Sequence, residues 1–113
     1  MCIRDRIQAC ETNWTEARIV AGDFNMQAGT PEHKSMLEGH TDAWLAAKAM
    51  GTATNYSGNC DGCTRNSRID YIFTSKAATS VALKSVQIFD TRPAGSTVMA
   101  SDHKPMLAIY ELK

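Results

Sequence analysis

The chain has 113 residues, an apolar fraction of 43%, and twelve basic residues balanced by twelve acidic ones. This length supports one domain, and the composition is that of a globular protein rather than of a disordered chain or a coiled coil. The absence of a basic excess disfavours a protein that grips nucleic acid regardless of sequence. No apolar run is long enough to cross a bilayer, so no transmembrane segment is predicted, and nothing in the sequence indicates a compartment.

The first six residues, MCIRDR, differ from the rest of the chain. Three of them are charged, and they contain no signal for the start of a helix or a strand. They resemble the translation of a sequencing adapter in assembled metagenomic data. We therefore interpret residues 1–6 as a leader that is foreign to the protein, and we expect residues 7–113 to form one domain.

A first buried strand is predicted at residues 18–21. The segment RIVA contains two β-branched residues and is followed by Gly22. Residues 7–17, upstream of it, are typical of the end of a helix or of a connecting segment. Asp23 and Asn25 follow the strand at a spacing of two, which in an extended chain puts both side chains on the same side.

The middle of the chain predicts two consecutive short helices. Thr30 is suited to be an N-cap, because a proline follows it and an acid lies in the first turn. We expect this helix to end near Gly39. Asp42 is predicted to cap a second helix over residues 43–50, which Gly51 would end.

The predicted core includes Trp44 and Met50, which both fall on the second, amphipathic helix. Residues 52–67 contain two Gly and three Asn and show little periodicity, so they are predicted to form a surface loop. Residues 90–101 contain Pro, Gly and small polar side chains, and they are predicted to form another loop.

The second half of the chain contains three predicted strands, at residues 68–74, 81–89 and 105–112. In the first of them, the pattern places Ile69, Tyr71 and Phe73 on one side. Asp70 and Ile72 then face the other side. Because two helices follow each other between strands, the α+β class is favoured over a regular βαβ alternation.

Three short motifs each place an acid, an amide or an imidazole at the edge of a predicted strand: GDFN at 22–25, RIDYIF at 68–73 and SDHKPM at 101–106. In this order they resemble the C-terminal half of the endonuclease/exonuclease/phosphatase family, whose members hydrolyse phosphodiester and phosphomonoester bonds with a divalent metal. The resemblance implies that residues 7–113 are the C-terminal half of such a domain. The fold it implies is a partial four-layer α/β/β/α sandwich of the DNase I-like type.

The resemblance also implies a role for each of five residues. Asp23 would orient and deprotonate the attacking water, and Asn25 would hold water, phosphate or metal through its amide. His103 would donate a hydrogen bond to the phosphoryl oxygens, and Asp70 would fix the tautomer and orientation of that imidazole. Asp102 would contribute to the metal site together with Asn25.

These roles agree with the chemistry of phosphoester hydrolysis, which needs an in-line water, neutralised phosphoryl oxygens and help for the leaving oxygen. A divalent cation supplies the last two, and oxygen ligands from carboxylates and amides favour Mg²⁺ or Mn²⁺. A carboxylate beside an imidazole raises the pKa of the imidazole, which can then donate to phosphate near neutral pH. The expected partner is a phosphoester, whether nucleic acid, phospholipid or small phosphate ester. No obligate protein partner is inferred.

The resemblance further implies a first half of the fold, which bears a metal-binding glutamate and has no counterpart in these residues. We therefore expect one of the two sheets to lack central strands and to leave apolar edges uncovered. We also expect a weak metal site, because few carboxylates would hold the ion. The chain expressed alone is predicted to be inactive and prone to aggregate.

Two other classes of function stay open on the sequence. A non-catalytic binding module that keeps the fold would be expected to have lost at least one of the five residues, yet all five are present. A small zinc-binding protein would use Cys60 and Cys63, although a structural zinc needs four ligands and there is no second C-x-x-C. A local disulfide and two free thiols are the other interpretations of this pair.

Two interpretations stay open for each of three residues, Arg65, Arg68 and Asp70. Arg65 and Arg68 are candidates for contacts to phosphate, because guanidinium groups bind oxyanions in bidentate geometry, or they are solvated side chains beside a strand. Asp70 could instead be a buried acid paired with Arg68. Thr54 lies where the family often has a threonine near its site.

Overall fold

The computed structural model describes residues 5–7, 17–56, 58–90, 92, 95 and 101–113. Besides a helical turn at residues 5–7, these residues form six strands and two helices. The elements in chain order are β1 (Ile19–Asp23), α1 (Pro31–Gly39), β2 (His40–Asp42), α2 (Ala43–Met50), β3 (Ala53–Thr54), β4 (Asp70–Ser75), β5 (Val81–Ile88) and β6 (Met106–Leu112).

The strands form two three-stranded sheets. In the first sheet, β4 lies between β1 and β2 and is antiparallel to both. In the second sheet, β5 lies between β3 and β6, parallel to β3 and antiparallel to β6. A hydrogen bond of 2.6 Å between the hydroxyls of Thr74 on β4 and Tyr110 on β6 joins the two sheets. Sheets and helices in this arrangement confirm the predicted α+β class.

Both helices begin and end where the sequence predicts. The Thr30 hydroxyl accepts a hydrogen bond from the backbone N–H of His33, and Pro31 opens α1. The Asp42 carboxylate accepts from the backbone N–H of Trp44 at 3.1 Å and so caps α2. Gly51 ends α2 with φ of 76°, a left-handed conformation that favours glycine.

Two apolar clusters lie on opposite sides of β4. Tyr71 and Phe73 face one side and pack with Phe24, with Met26 and with Met36 of α1. Ile72 faces the other side, against a cluster formed by α2 and the second sheet, whose buried members are Ala43, Trp44, Ala47, Val86 and Ile88. This alternation along β4 is the one that the sequence predicts, and it places Asp70 on the side of Ile72.

Several predictions about the middle of the chain are wrong. Residues 52–67 are not simply a surface loop, because they contain β3 and a buried turn with Gly62, Cys63 and Thr64. The strand β2 was not predicted, since three residues are too short to show a period of two. Met50 is 50% exposed, because it is the last residue of α2 and lies beyond Ala47, the last buried position of that helix.

Some sequence predictions fall outside the described residues. They concern most of the segment 7–17, residues 1–4 of the segment interpreted as a foreign leader, and most of the loop 90–101. Among the described residues, none of the helices combines the length and the apolar character that crossing a membrane requires. The prediction that the first strand is buried is wrong, because every residue of β1 except the half-buried Val20 is exposed. Ile19 on β1 and Leu107 and Ile109 on β6 are each about half exposed.

Candidate active site

Asp23 and Asp70 lie opposite each other at one end of the first sheet. Asp23 is the last residue of β1, Asp70 is the first residue of β4, and the two are partners in the antiparallel register. The pairing continues beyond the strand, where the backbone N–H of Phe24 donates to the carbonyl of Ile69 at 2.9 Å. The GDFN and RIDYIF motifs are therefore neighbours in space.

The third motif brings an imidazole to the same place. Nδ1 of His103 lies 2.7 Å from Oδ2 of Asp70, across 33 residues of sequence. The carboxylate can only accept, so Nδ1 carries the proton and Nε2 is the nitrogen left for another partner. Ligand atoms of Asp23, Asp70 and His103 lie within 4.8 Å of one another. One pocket thus holds the three side chains.

The pKa of His103 is raised above its usual value, chiefly by the hydrogen bond to Asp70. Partial desolvation opposes this effect, and the negative charges of Asp70, Asp102 and Asp23 add to it. The imidazole therefore keeps its second proton to a higher pH than a free histidine. In this doubly protonated form the imidazole can offer Nε2–H to an anion.

Asn25 follows Asp23 by two residues but is not among the residues that line the pocket. It is exposed, its φ of 50° is left-handed, and its backbone N–H donates to Oδ1 of Asp23 at 2.8 Å. Asparagine tolerates this conformation better than most residues. In the described part of the chain, Oδ2 of Asp23 receives no protein hydrogen-bond donor, so this oxygen can bind water.

An open cavity of about 510 Å³ adjoins these side chains. Asp23, Asp70 and His103 line it, together with Lys104 from the same loop as His103. Ala21, Ile72, Pro105 and Met106 add apolar walls. The volume suits a small phosphoester or one end of a larger one.

Asp102 lies beside this pocket but outside the group of three. Its carboxylate pairs with Arg65 at 3.3 Å, and Oδ1 lies 3.9 Å from Nε2 of His103. Both Arg65 and Asp102 are largely exposed. To bind a metal, as the family resemblance implies, the Asp102 carboxylate would have to leave Arg65 and bind the ion instead.

Arg68 and Thr54 do not lie where the sequence analysis considered them, which was at the phosphate, at Asp70 or at the surface for Arg68 and near the site for Thr54. Arg68 is buried and pairs with Asp42 rather than with Asp70, substrate or solvent. Its neighbours in RIDYIF do not indicate this partner, which lies 26 residues upstream. Thr54 lies exposed on β3 and does not line the cavity.

Thr64 is a site residue that the sequence analysis missed. Its hydroxyl donates to Oδ2 of Asp70, and its carbonyl accepts from the backbone N–H of Lys104 at 2.7 Å. It belongs to none of the three motifs, and no pattern of residues around it signals burial.

The donor set fits a hard divalent cation. Asp23 and Asp70 are like charges at directly opposite positions of two strands, which repel unless cations or hydrogen-bond donors compensate. Carboxylate oxygens are ligands of Mg²⁺ and Mn²⁺. Nδ1 of His103 is engaged by Asp70, so oxygen atoms rather than this imidazole nitrogen would be the ligands.

Cys60 and Cys63 are joined by a disulfide, with their Cα atoms 5.4 Å apart. This distance is usual for a disulfide. The sequence left three interpretations of this pair open, and the structure agrees with the local disulfide. Two sulfurs bonded to each other are not zinc ligands.

Comparisons with known proteins agree with this geometry. The profile of the Endonuclease/Exonuclease/phosphatase family matches residues 10–103. No curated protein sequence matches the chain. A solved endonuclease/exonuclease/phosphatase from Bacteroides vulgatus is similar over 96% of this chain and 41% of its own, with a TM-score of 0.69 and 23% identity.

Two further solved structures have a similar fold. A mannosyl-6-phosphatase from Bacteroides thetaiotaomicron gives a TM-score of 0.66 and 20% identity over 97% of this chain and 43% of its own. A functionally unknown conserved protein from Enterococcus faecalis gives a TM-score of 0.66 and 18% identity over 95% of this chain and 42% of its own. The chain therefore spans about two fifths of the length of these structures. Since the family profile covers most of its residues, this chain belongs to the endonuclease/exonuclease/phosphatase family.

Proposed function

We propose that the protein is a divalent-metal-dependent phosphoesterase, which hydrolyses phosphodiester or phosphomonoester bonds with an activated water. The observation that carries this proposal is the convergence of Asp23, Asp70 and His103, with ligand atoms within 4.8 Å of one another beside an open cavity. Family membership supports the reaction class. Because the chain spans about two fifths of similar structures, the proposal concerns the whole protein that contains it.

In this proposal, Asp23 and His103 divide the work at the phosphorus atom. Asp23 uses Oδ2 to orient the attacking water and to take its proton, while Oδ1 stays bonded to the backbone of Asn25. His103 donates Nε2–H to a phosphoryl oxygen and so offsets negative charge that grows in the transition state. Asp70 accepts from Nδ1–H of the imidazole, which fixes the orientation of the ring and favours the doubly protonated form that also carries a proton on Nε2.

Asn25 and Asp102 are the residues proposed to hold the metal. Asn25 is bonded to Asp23 through its backbone N–H, and Asp102 would release Arg65 to bind the ion. When bound, Mg²⁺ or Mn²⁺ would neutralise charge on the phosphoryl group and on the leaving oxygen. Lys104 lines the same cavity and adds a positive charge that can attract the anionic substrate. The site therefore combines acceptors for water with donors for phosphate.

A phosphomonoester of a small molecule is the first substrate class to test. The chain carries no net charge, and the cavity of about 510 Å³ suits a small ester rather than a long duplex. One similar structure is a mannosyl-6-phosphatase, which suggests a sugar phosphate among the first compounds.

The test is hydrolysis of p-nitrophenyl phosphate, bis-p-nitrophenyl phosphate and mannose 6-phosphate with Mg²⁺ or Mn²⁺ and with EDTA. It uses both the 113-residue chain and the longest reading frame that encodes it. We expect EDTA to abolish turnover, and His103→Ala and Asp23→Asn each to lower kcat by about 10²–10³-fold, the range for one transition-state contact.

Glu111→Gln is the matched control, because it also neutralises an exposed acid but lies on β6 in an ion pair with Lys84. We expect it to leave turnover unchanged. Failure of the longest reading frame to hydrolyse any phosphoester would contradict the proposal. Turnover by the 113-residue chain that is lost in His103→Ala would support the function and overturn the expectation that this chain alone is inactive.

A further inference from the structure

Thr64 contacts Asp70 through its side chain and the loop that carries His103 through its backbone. Its side chain is fully buried, although it lies in a segment without regular structure. Its hydroxyl donates to Oδ2 of Asp70, the same oxygen that accepts from Nδ1 of His103. A buried hydroxyl aimed at a site carboxylate fixes the rotation of that carboxylate.

The backbone of Thr64 holds the loop that carries the imidazole. Its carbonyl accepts from the N–H of Lys104 at 2.7 Å, one residue after His103. The contacts form a closed ring: Thr64 hydroxyl to Asp70, Asp70 to His103, and the Lys104 backbone back to the Thr64 carbonyl. The positions of the Asp70 carboxylate and the His103 imidazole are therefore both held by Thr64, and not only by the bond between them.

Thr64 is itself held by a rigid turn. The preceding residue, Cys63, is bonded to Cys60, and its carbonyl accepts from the side chain of Asn59 at 2.7 Å. Within this turn, Asp61 accepts from Nε1 of Trp44 at 3.0 Å and so ties the turn to α2. The disulfide and these hydrogen bonds thus connect Thr64, at the site, with α2.

From this geometry we propose that Thr64 is a positioning residue of the phosphoesterase site, which holds Asp70 and the His103 loop in the arrangement that binds phosphate. This inference rests on the proposed function for its effect on turnover. Without the hydroxyl, the Asp70 carboxylate can rotate away from Nδ1, and the imidazole loses its fixed orientation. The rate of the chemical step is then reduced more than the affinity for substrate.

The experiment compares Thr64→Val, which removes the hydroxyl, with Thr64→Ser, which keeps it. The first readout is the hydrogen-bonded Nδ1–H proton of His103 in ¹H–¹⁵N NMR at fixed pH with EDTA, which requires no catalysis. We expect Thr64→Val to lose this signal and Thr64→Ser to retain it. The second readout is kinetics, where we expect Thr64→Val to lower kcat about 10–100-fold with little change in KM and Thr64→Ser to restore most of it.

Thr74→Val is the matched control, because it removes another hydroxyl hydrogen bond, the one to Tyr110, outside the cavity. It should keep both the His103 signal and kcat. If Thr64→Val does not fold, Thr64→Ala removes the hydroxyl without placing a methyl group against the Asp70 carboxylate, and the same losses are expected.

Retention of the Nδ1–H signal in folded Thr64→Val or Thr64→Ala would overturn the proposal, as would equal losses in Thr64→Ser. If the unsubstituted protein hydrolyses no phosphoester, the proposed function fails, but the NMR comparison still decides whether Thr64 positions the pair.

Discussion

Arg68 and Asp42 form a buried ion pair, in which Nη2 of Arg68 lies 2.8 Å from both carboxylate oxygens. Asp42 also accepts from Nε2 of His33 at 2.8 Å, while Nδ1 of His33 accepts from the backbone of Gly29. The pair joins the cap of α2 to the residue two positions before Asp70. It therefore helps to set where β4 begins and where the site carboxylate lies.

Removing one partner of this pair should destabilise the protein strongly. Arg68→Met leaves the Asp42 carboxylate buried without its cation, and we expect the free energy of unfolding to fall by about 3–5 kcal/mol. The double variant Arg68→Met/Asp42→Asn should lose less than the sum of the single losses, because no unpaired charge stays buried. Urea denaturation of Arg68→Met, of Asp42→Asn and of the double variant measures the three losses. Additive losses below about 1 kcal/mol each would contradict the importance of the pair.

Gly62 is predicted to be intolerant of a side chain. A Cβ at this position would lie 2.5 Å from Nε1 of Trp44, whose buried indole is held by Asp61, and φ is +73°. Gly58 has a similar φ of +81° but open space around it, so Gly58→Ala is the matched control. We expect both substitutions to pay about 1–2 kcal/mol for the left-handed backbone. Gly62→Ala should lose about 1–3 kcal/mol more by overpacking, measured by thermal or urea unfolding, and equal losses would contradict the contact.

Reduction of the Cys60–Cys63 disulfide should lower stability modestly. Chain-entropy arguments give about 2 kcal/mol for so short a loop, and Asn59 still holds the carbonyl of Cys63 in the reduced form. The measurement is urea denaturation with and without dithiothreitol, with Cys60→Ser/Cys63→Ser as the control that should not respond. An unchanged midpoint on reduction would show that the hydrogen bonds alone maintain this turn.

The local features of the fold were predictable because their causes lie within a few residues. Thr30 and Asp42 cap helices through their own side chains, and Gly51 ends one through its backbone. The alternation of Tyr71 and Phe73 along β4 likewise depends only on a period of two. Such signals need no knowledge of the rest of the chain.

The missed features depend on partners far away in sequence. Arg68 is buried by Asp42, 26 residues upstream, and nothing in RIDYIF distinguishes this from a solvated arginine. The burial of Thr64 depends on a turn packed against Trp44. The meeting of Asp70 and His103, which are 33 residues apart, was expected only from the family resemblance, since composition and periodicity contain no such information.

The Asp70–His103 contact should make stability depend on pH in a defined direction. The folded pKa of His103 is raised, chiefly by the hydrogen bond to Asp70, while the unfolded pKa is about 6.5. The folded state therefore binds the proton more tightly, so the stabilisation is complete below about pH 6.5 and is lost as pH rises through the folded pKa. We expect the free energy of unfolding, measured by urea titration in EDTA, to decline over this window. Asp70→Asn and His103→Gln should each remove this decline, because either substitution abolishes the hydrogen bond that raises the pKa of the imidazole. The same decline in all three proteins would mean that this contact does not favour the imidazolium.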